Sequence, residues 1–302
     1  MAQQTFDVIV IGEGVSGLTA ADTLASAGLK VATLEAQLFG GLVINVNELD
    51  PAPPGRPRSG AELASEMMQV NAERGVTSIQ EAVTVLRVAS GRQEVVTASA
   101  AYAAPYVVIA SGARLKRLGV PGESEFEGKG VSQCADCDGP MYQNEDVLVV
   151  GGGDSARQEA LVLAQYARRV HLVHRGERFS GERFRREAEA NDKISIVWNA
   201  TVERIAGGKM VEKAHLRHRD GCMEEIPCAG VFAYIGLQAN ADFAPAEIER
   251  DAAGFVTTGS DLQTSVPGTY AIGAVRSGFG GTLDDAIAEA QRVGTALVQR
   301  LG

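Results

Sequence analysis

The apolar positions of the chain fall into two alternating patterns. Val8-Ile9-Val10-Ile11 is an uninterrupted apolar run, as in a strand buried on both faces, and with Phe6 it predicts a strand over 6–11. Helical spacing follows from Ser16 to Ala27, and Lys30 to Leu34 returns to strand. Strand, helix and strand in this order form a right-handed unit that builds a parallel sheet. Pro51-Ala52-Pro53-Pro54-Gly55 interrupts regular structure. A helix over 60–74 is predicted next, with Ser59 as its N-cap. From Glu81 to Ile109 the pattern is strand-like, with a hairpin turn at Ser90-Gly91-Arg92. The apolar strand from Tyr106 to Ala110 ends at Ser111-Gly112-Ala113.

The middle of the chain repeats the opening. A strand from Asp146 to Val150 runs into Gly151-Gly152-Gly153-Asp154-Ser155-Ala156. A helix to Ala167 and a strand from Val170 to Val173 follow, then a β-hairpin region from Ile194 to Tyr234 that leaves through Ile235-Gly236. A strand from Tyr270 to Ile272 and a helix from Leu283 to Leu301 end the chain. Two glycine-rich units in one chain predict an α/β protein of two Rossmann-like, three-layer nucleotide-binding domains, the second inserted into the first. The expected boundaries are 1–114 with 245–302 for the first domain and 115–244 for the second.

Composition narrows this picture modestly. The 302 residues suffice for two domains, and 45% hydrophobic with 22% charged residues is ordinary for a soluble protein. A net charge of −10 gives the chain as a whole no attraction to nucleic acid or anionic membrane. No run approaches the ~20 apolar residues of a membrane span. The first apolar run enters a glycine-rich turn without a preceding basic segment, so no targeting signal is expected and the cytoplasm is the expected compartment. Four cysteines in this length do not form a secreted disulfide scaffold and point to redox or metal chemistry.

Gly12-Glu13-Gly14-Val15-Ser16-Gly17 follows a strand and opens a helix, and Glu35 ends the next strand. The glycines admit a pyrophosphate to the backbone, the helix N-terminus favours its charge, and the acid can bind ribose hydroxyls. A purely structural glycine turn would not require the acid. In the second turn Ala156 holds the third glycine position, and no acid ends the following strand. That strand runs instead into His174-Arg175-Gly176-Glu177-Arg178. His174, Arg175 and Arg178 suit a ribose 2′-phosphate and favour NADPH over NADH, the alternative being a solvated charged loop.

Cys134-Ala135-Asp136-Cys137 has the spacing of a small redox-active disulfide. Asp138 is a candidate acid/base for thiol proton transfer. The competing reading is half a zinc site, for which Cys222 and Cys228 are too distant in sequence to complete a ribbon, so no metal is expected. Cys222 and Cys228 read as ordinary cysteines, and His171, His215 and His218 have no partner that suggests nucleophilic catalysis.

Together these features resemble the low-molecular-weight thioredoxin reductase family over nearly the whole chain. The residues that carry the resemblance are the first glycine turn, Gly40-Gly41, Ala110-Ser111-Gly112-Ala113, Cys134-Ala135-Asp136-Cys137-Asp138-Gly139, the second glycine turn, and Tyr234-Ile235-Gly236. The resemblance implies FAD at Gly12, Gly14, Val15, Ser16, Gly17, Glu35, Gly41, Ala110, Ser111, Gly112, Gly273 and Ala274. It implies NADPH, with NADH possible, at Gly151, Gly153, Asp154, Ser155, Ala156, His174, Arg175, Arg178, Ile235 and Gly236. Hydride would pass from the nicotinamide to FAD and on to the Cys134–Cys137 disulfide, with Cys137 beside the flavin, Cys134 attacking a thioredoxin-like partner and Asp138 as acid/base. The family further implies a homodimer.

The chain departs from the family pattern at several points. Gly273-Ala274 stands where the family has Gly-Asp, and Thr282-Leu283 with Asp284-Asp285 stands where it has Arg-Gln-Ala. His174-Arg175-Gly176 replaces His-Arg-Arg, a further arginine is lost near Ser180 with Arg178, Arg183 or Arg185 as substitutes, and Leu42 occupies a glutamine position. These departures keep two other readings open: an FAD-dependent dithiol oxidase using oxygen, and a redox-sensing flavoprotein of reduced turnover.

Overall fold

A computed structural model describes residues 4–46, 49, 59–89, 91–179, 181–182 and 184–302. The predicted interruption at Pro51 to Gly55, Ser90 of the hairpin turn, Ser180 and Arg183 lie outside the described residues. The chain divides into two compact units, residues 1–114 with 238–302, and residues 115–237. The second crossing falls at Gln238, ahead of the expected residue 245. The segments 113–115 and 237–239, which carry the chain between the units, pair as a two-stranded ribbon.

In the first unit five parallel strands lie in the order Thr269–Ala271, Tyr106–Ile109, Val8–Ile11, Val31–Leu34, Thr77–Ile79. The strand Val8–Ile11 is buried throughout because both faces are covered. Val8 and Val10 pack under Ala20, Leu24, Val293 and Leu297, which come from the helices Val15–Ser26 and Leu283–Leu301. Ile9 and Ile11 face the other way, into a core with Leu86, Val95 and Tyr102 from a four-stranded sheet. The period-two alternation of the strand thus supplies two cores at once. Ser59 caps the helix Gly60–Glu73 through a reciprocal pair of bonds with Glu62, at 3.1 and 3.0 Å.

The second unit repeats this plan. Its five parallel strands run in the order Val131–Ser132, Gly230–Ala233, Asp146–Val150, Arg169–His174, Ile194–Trp198. Val147 and Val149 pack with Ala156, Ala160 and Leu163 of the helix Asp154–Ala164. Leu148 and Val150 pack with Val202, Ala214, Leu216 and Ile226 of an antiparallel three-stranded sheet, Ala200–Gly207, Val211–His218 and Met223–Pro227. The expected hairpin region from 194 to 234 therefore needs correcting at both ends. Ile194–Trp198 and Gly230–Ala233 join the parallel sheet, and only the three strands between them are antiparallel. Gly230–Ala233 is buried throughout and lies beside Asp146–Val150, whereas Ile194–Trp198 is a half-buried strand beside Arg169–His174. Among the described residues no helix is long and apolar enough to cross a membrane.

Candidate functional site

Cys134 and Cys137 are joined as a disulfide with their Cα atoms 5.3 Å apart. The spacing works because Cys134, extended at φ −135°, is the N-cap of the short helix Ala135–Asp138. One helical turn then brings residue i+3 back over the cap. The Cys134 amide donates to Ser132 Oγ at 3.1 Å, and the Cys137 amide donates to Cys134 Sγ at 3.1 Å. A backbone donor aimed at sulfur favours the thiolate over the thiol. Cys137 is exposed, and Cys134 and Asp138 are half-buried. Gly139 packs against the Tyr166 ring, which a Cβ there would approach to 3.0 Å.

The other two cysteines are free. Cys228 is buried, and burial pushes its thiol up to about 12. Cys222 is exposed, and the hydrogen bond with Asp220 raises its thiol. Among the described residues no cluster of three or more His, Cys, Asp or Glu side chains is arranged to hold a metal ion.

The first glycine turn sits at the carboxyl ends of the strands Val8–Ile11, Tyr106–Ile109 and Thr269–Ala271, the usual place for a ligand in an open α/β sheet. Its three glycines face different surroundings. Gly12 has φ +108°, and a Cβ there would lie 2.4 Å from the Ala110 carbonyl oxygen. At Gly17 a Cβ would lie 2.0 Å from the Gly12 oxygen, so this glycine lets helix and strand touch. At Gly14 a Cβ would meet only Gly40 O, at 3.8 Å. Gly112 likewise faces open space. The helix Val15–Ser26 begins with no side-chain cap among the described residues and no acid in its first turn. Backbone donors and open approach are what a pyrophosphate requires, so the residues fit the dinucleotide. Glu35 is half-buried and accepts from the amides of Glu13 at 2.9 Å and Gln37 at 3.0 Å.

Polar residues that the sequence patterns did not single out hold this site together. Glu13 is 1% exposed and accepts from Thr33 Oγ1 and Ser78 Oγ, each at 2.6 Å. Asn240 clasps the turn after Ile109. Its Nδ2 donates to Ser111 O at 3.0 Å, its carbonyl accepts from Ser111 Oγ at 2.6 Å, and its amide donates to Gly112 O at 3.0 Å. At the last strand end the Gly273 amide donates to Glu289 at 2.8 Å, and Glu289 also pairs with Arg276. Ser16 Oγ lies where a Cβ on Gly273 would go, 2.4 Å from it, and Ala274 beside it is half-buried. Thr282 and Asp285 form a capping box on the final helix, and the Thr282 hydroxyl holds the Asp285 carboxyl below its ordinary range.

In the second unit Gly151 takes φ +155°, where a Cβ would lie 2.4 Å from Tyr234 O. Gly153 has nothing within 4 Å, and Ala156 is fully buried against the strand. Small residues close the turn and an open glycine faces outward, as in the first unit. Ser155 is exposed at the helix start. The structure adds a buried guanidinium behind this turn. Arg157 is 0% exposed, donates to Gly152 O at 3.2 Å, pairs with Asp154 and lies 5.0 Å from the Phe179 ring centroid. Asp154 is thus held by Arg157 as well as heading the helix. The His174 ring packs on Gly152, where a Cβ would fall 2.1 Å from it, and its Nε2 lies 3.0 Å from Arg178 O. Phe179 and Trp198 flank that ring at centroid distances of 5.7 and 5.9 Å. Arg175 and Arg178 are exposed beyond it, while Arg185 pairs with Glu182 and Glu189. Ile235 and Gly236 are also exposed at the end of this unit's sheet.

Comparison with known proteins agrees with this geometry. The pyridine nucleotide-disulphide oxidoreductase family model matches residues 6–294. The thioredoxin reductase of Treponema pallidum is 35% identical over 275 residues, covering 90% of this chain and 89% of that protein. The thioredoxin reductase of Listeria monocytogenes is 36% identical over 285 residues, covering 91% and 87%. The crystal structure of Lactococcus lactis thioredoxin reductase superposes with a TM-score of 0.89 at 30% identity, over 97% of this chain and 98% of that one. That of T. acidophilum thioredoxin reductase gives 0.88 at 30% identity, over 99% of each. With two glycine turns and a Cys-x-x-Cys disulfide in place, the chain belongs to the low-molecular-weight thioredoxin reductase family of pyridine nucleotide-disulphide oxidoreductases and is a flavoprotein disulfide reductase.

Proposed function

We propose that the protein passes electrons from NADPH through FAD and the Cys134–Cys137 dithiol to the disulfide of a thioredoxin or thioredoxin-like protein, and that it works as a homodimer. The disulfide at Cys134–Cys137, carried by the unit that also bears the second glycine turn, is the observation on which this reading rests. Residues 1–114 with 238–302 hold FAD through Gly12, Gly14, Val15, Ser16, Gly17, Glu35, Gly41, Ala110, Ser111, Gly112, Gly273 and Ala274. Residues 115–237 hold the nicotinamide nucleotide through Gly151, Gly153, Asp154, Ser155, Ala156, Ile235 and Gly236, with Arg175 and Arg178 on the 2′-phosphate. His174 shapes that site from behind, because its ring is packed on Gly152. FAD, when bound, supplies the two-electron carrier between nicotinamide and sulfur.

The chain's own residues manage the sulfur chemistry. Cys137 takes the electrons, and Cys134 is the sulfur that attacks the partner's disulfide. The Cys137 amide, already on Cys134 Sγ, meets the negative charge that develops there when the disulfide opens. Asp138 takes and returns the proton that thiol and thiolate exchange. The test is anaerobic addition of NADPH or NADH to the FAD-loaded protein, followed by thioredoxin. Bleaching of the flavin and recovery of its colour on adding oxidised thioredoxin are expected. Bound FAD that neither nucleotide bleaches would overturn the reading.

A further inference from the structure

The dithiol turn is tied to a half-buried acid that the chemistry above does not use. Tyr234 follows the strand Gly230–Ala233 and is buried. Its hydroxyl accepts from the Ala135 amide at 3.2 Å and donates to Glu159 at 3.2 Å. Ala135 is the fully buried residue next to Cys134. The Ala135 amide also bears directly on the Glu159 carboxylate. Glu159 sits on the helix Asp154–Ala164, beside Ala160 of the unit's core. A polar chain therefore runs from this helix to the backbone of the redox turn.

The electrostatics around that chain carry one sign. Burial, then the negative charge of Asp136, pushes the Glu159 carboxyl up from its ordinary range. Burial also raises the Tyr234 phenol, which stays a donor to Glu159. The groups facing the turn are Asp136 and Asp138 on its own helix, Glu159 and Tyr234 from behind, and Tyr142 from the segment Gly139–Tyr142. Tyr142 in turn faces Cys228. These groups are neutral or anionic, so any gain of charge at Glu159 opposes a thiolate next to Ala135.

We propose that Glu159, acting through Tyr234 and the Ala135 amide, positions the Cys134–Cys137 turn and sets the pH range in which Cys134 becomes a thiolate. It is a positioning residue, and the inference rests on the dithiol role proposed above. An ionised Glu159 raises the Cys134 thiol, and by reciprocity a Cys134 thiolate raises the Glu159 carboxyl.

The test reads sulfur directly and requires neither flavin nor nicotinamide turnover. Protein reduced with a phosphine is alkylated with iodoacetamide across a pH series, and peptide mass spectrometry follows Cys134 separately. Glu159→Gln keeps an acceptor for Tyr234 and removes the charge. The Cys134 midpoint is expected to fall by about one pH unit, with alkylation below it about tenfold faster. An unchanged or raised midpoint overturns the proposal. Should Glu159→Gln fail to fold, carbon NMR of the wild-type glutamate carboxyls decides. The Glu159 midpoint must lie higher in the reduced than in the oxidised protein, and equal midpoints overturn the proposal. A failure of the reductase reading would appear as no turnover with thioredoxin while this alkylation shift persisted, so the two failures are distinguishable.

Discussion

Two alanine substitutions two residues apart should separate folding from cofactor binding. At Gly12 the backbone has φ +108°, and an added methyl would lie 2.4 Å from Ala110 O and 2.9 Å from the Ser111 Cα. The conformation alone costs about 1–3 kcal/mol for an L-residue, and crowding against backbone adds about 1–3 kcal/mol. Gly12→Ala should therefore lose about 2–6 kcal/mol, a large part of a typical native stability of ~5–15 kcal/mol. At Gly14 the backbone has φ −75°, and the methyl would meet only Gly40 O, at 3.8 Å. Gly14 is an N-cap, where alanine is poorer than glycine by a few tenths of a kcal/mol to about 1 kcal/mol. The fold should survive, but the methyl occupies the approach to the helix N-terminus. One charge-assisted bond to phosphate is worth about 1.5–3 kcal/mol, so FAD affinity should fall by about tenfold to a hundredfold. Thermal denaturation of the flavin-free protein and flavin-fluorescence titration measure the two quantities. The reasoning is refuted if flavin-free Gly14→Ala melts as low as Gly12→Ala, or if it binds FAD as tightly as the parent.

Other consequences are equally open to measurement. Replacing either Cys134 or Cys137 by serine should abolish thioredoxin reduction while flavin bleaching by NADPH persists; loss of bleaching in both variants would contradict the proposed order of electron flow. Arg157→Met removes a fully buried cation from half-exposed Asp154, Gly152 O and the Phe179 ring, and a fall in folding midpoint equivalent to about 1.5–3 kcal/mol is expected in chemical denaturation, from the lost charge-assisted hydrogen bonds. Cys228 has its thiol raised from 9.0 to about 12 in the folded protein, so its stability contribution is present below pH 9 and is lost as pH rises towards 12. The alkaline loss of stability should approach ~1.4 kcal/mol per pH unit from this group, and Cys228→Ala should flatten that limb of the denaturation profile.

Much of the architecture was legible because it rests on local signals. The run Val8 to Ile11, the turn at Gly12 to Gly17 and the acid at Glu35 lie close together in the chain, and so do Asp146 to Ala156. Ser59 announced a helix start that the structure contains, where Glu62 three residues on completes the cap. Ile194–Trp198 was harder, because a short, half-buried strand does not say whether its neighbour is parallel or antiparallel. Its partnership with Arg169–His174 is set by the sheet, not by the segment. The polar residues behind the candidate site were hidden for a related reason. Glu13 meets Ser78 across 65 positions, Ser111 meets Asn240 across 129, and Tyr234 meets Glu159 across 75. A buried polar group needs a partner, but its one-dimensional context does not name it. Glu13 came nearest to being readable, as a carboxylate inside a turn whose other residues are small or apolar.

The doorway through which the middle of the chain leaves and re-enters the sheet of residues 1–114 has an evolutionary consequence. The Lys116 amide and the Gly236 oxygen are 2.9 Å apart, so the segment between them starts and stops at one point. Everything from 115 to 237 carries its own parallel sheet and its own packed interior. Such a segment behaves as a cassette. Recombination at two neighbouring junctions can exchange it whole, with its dithiol, its glycine turn and its half-buried acid travelling as one heritable block. The host sheet of residues 1–114 and 238–302 meanwhile keeps all five of its strands.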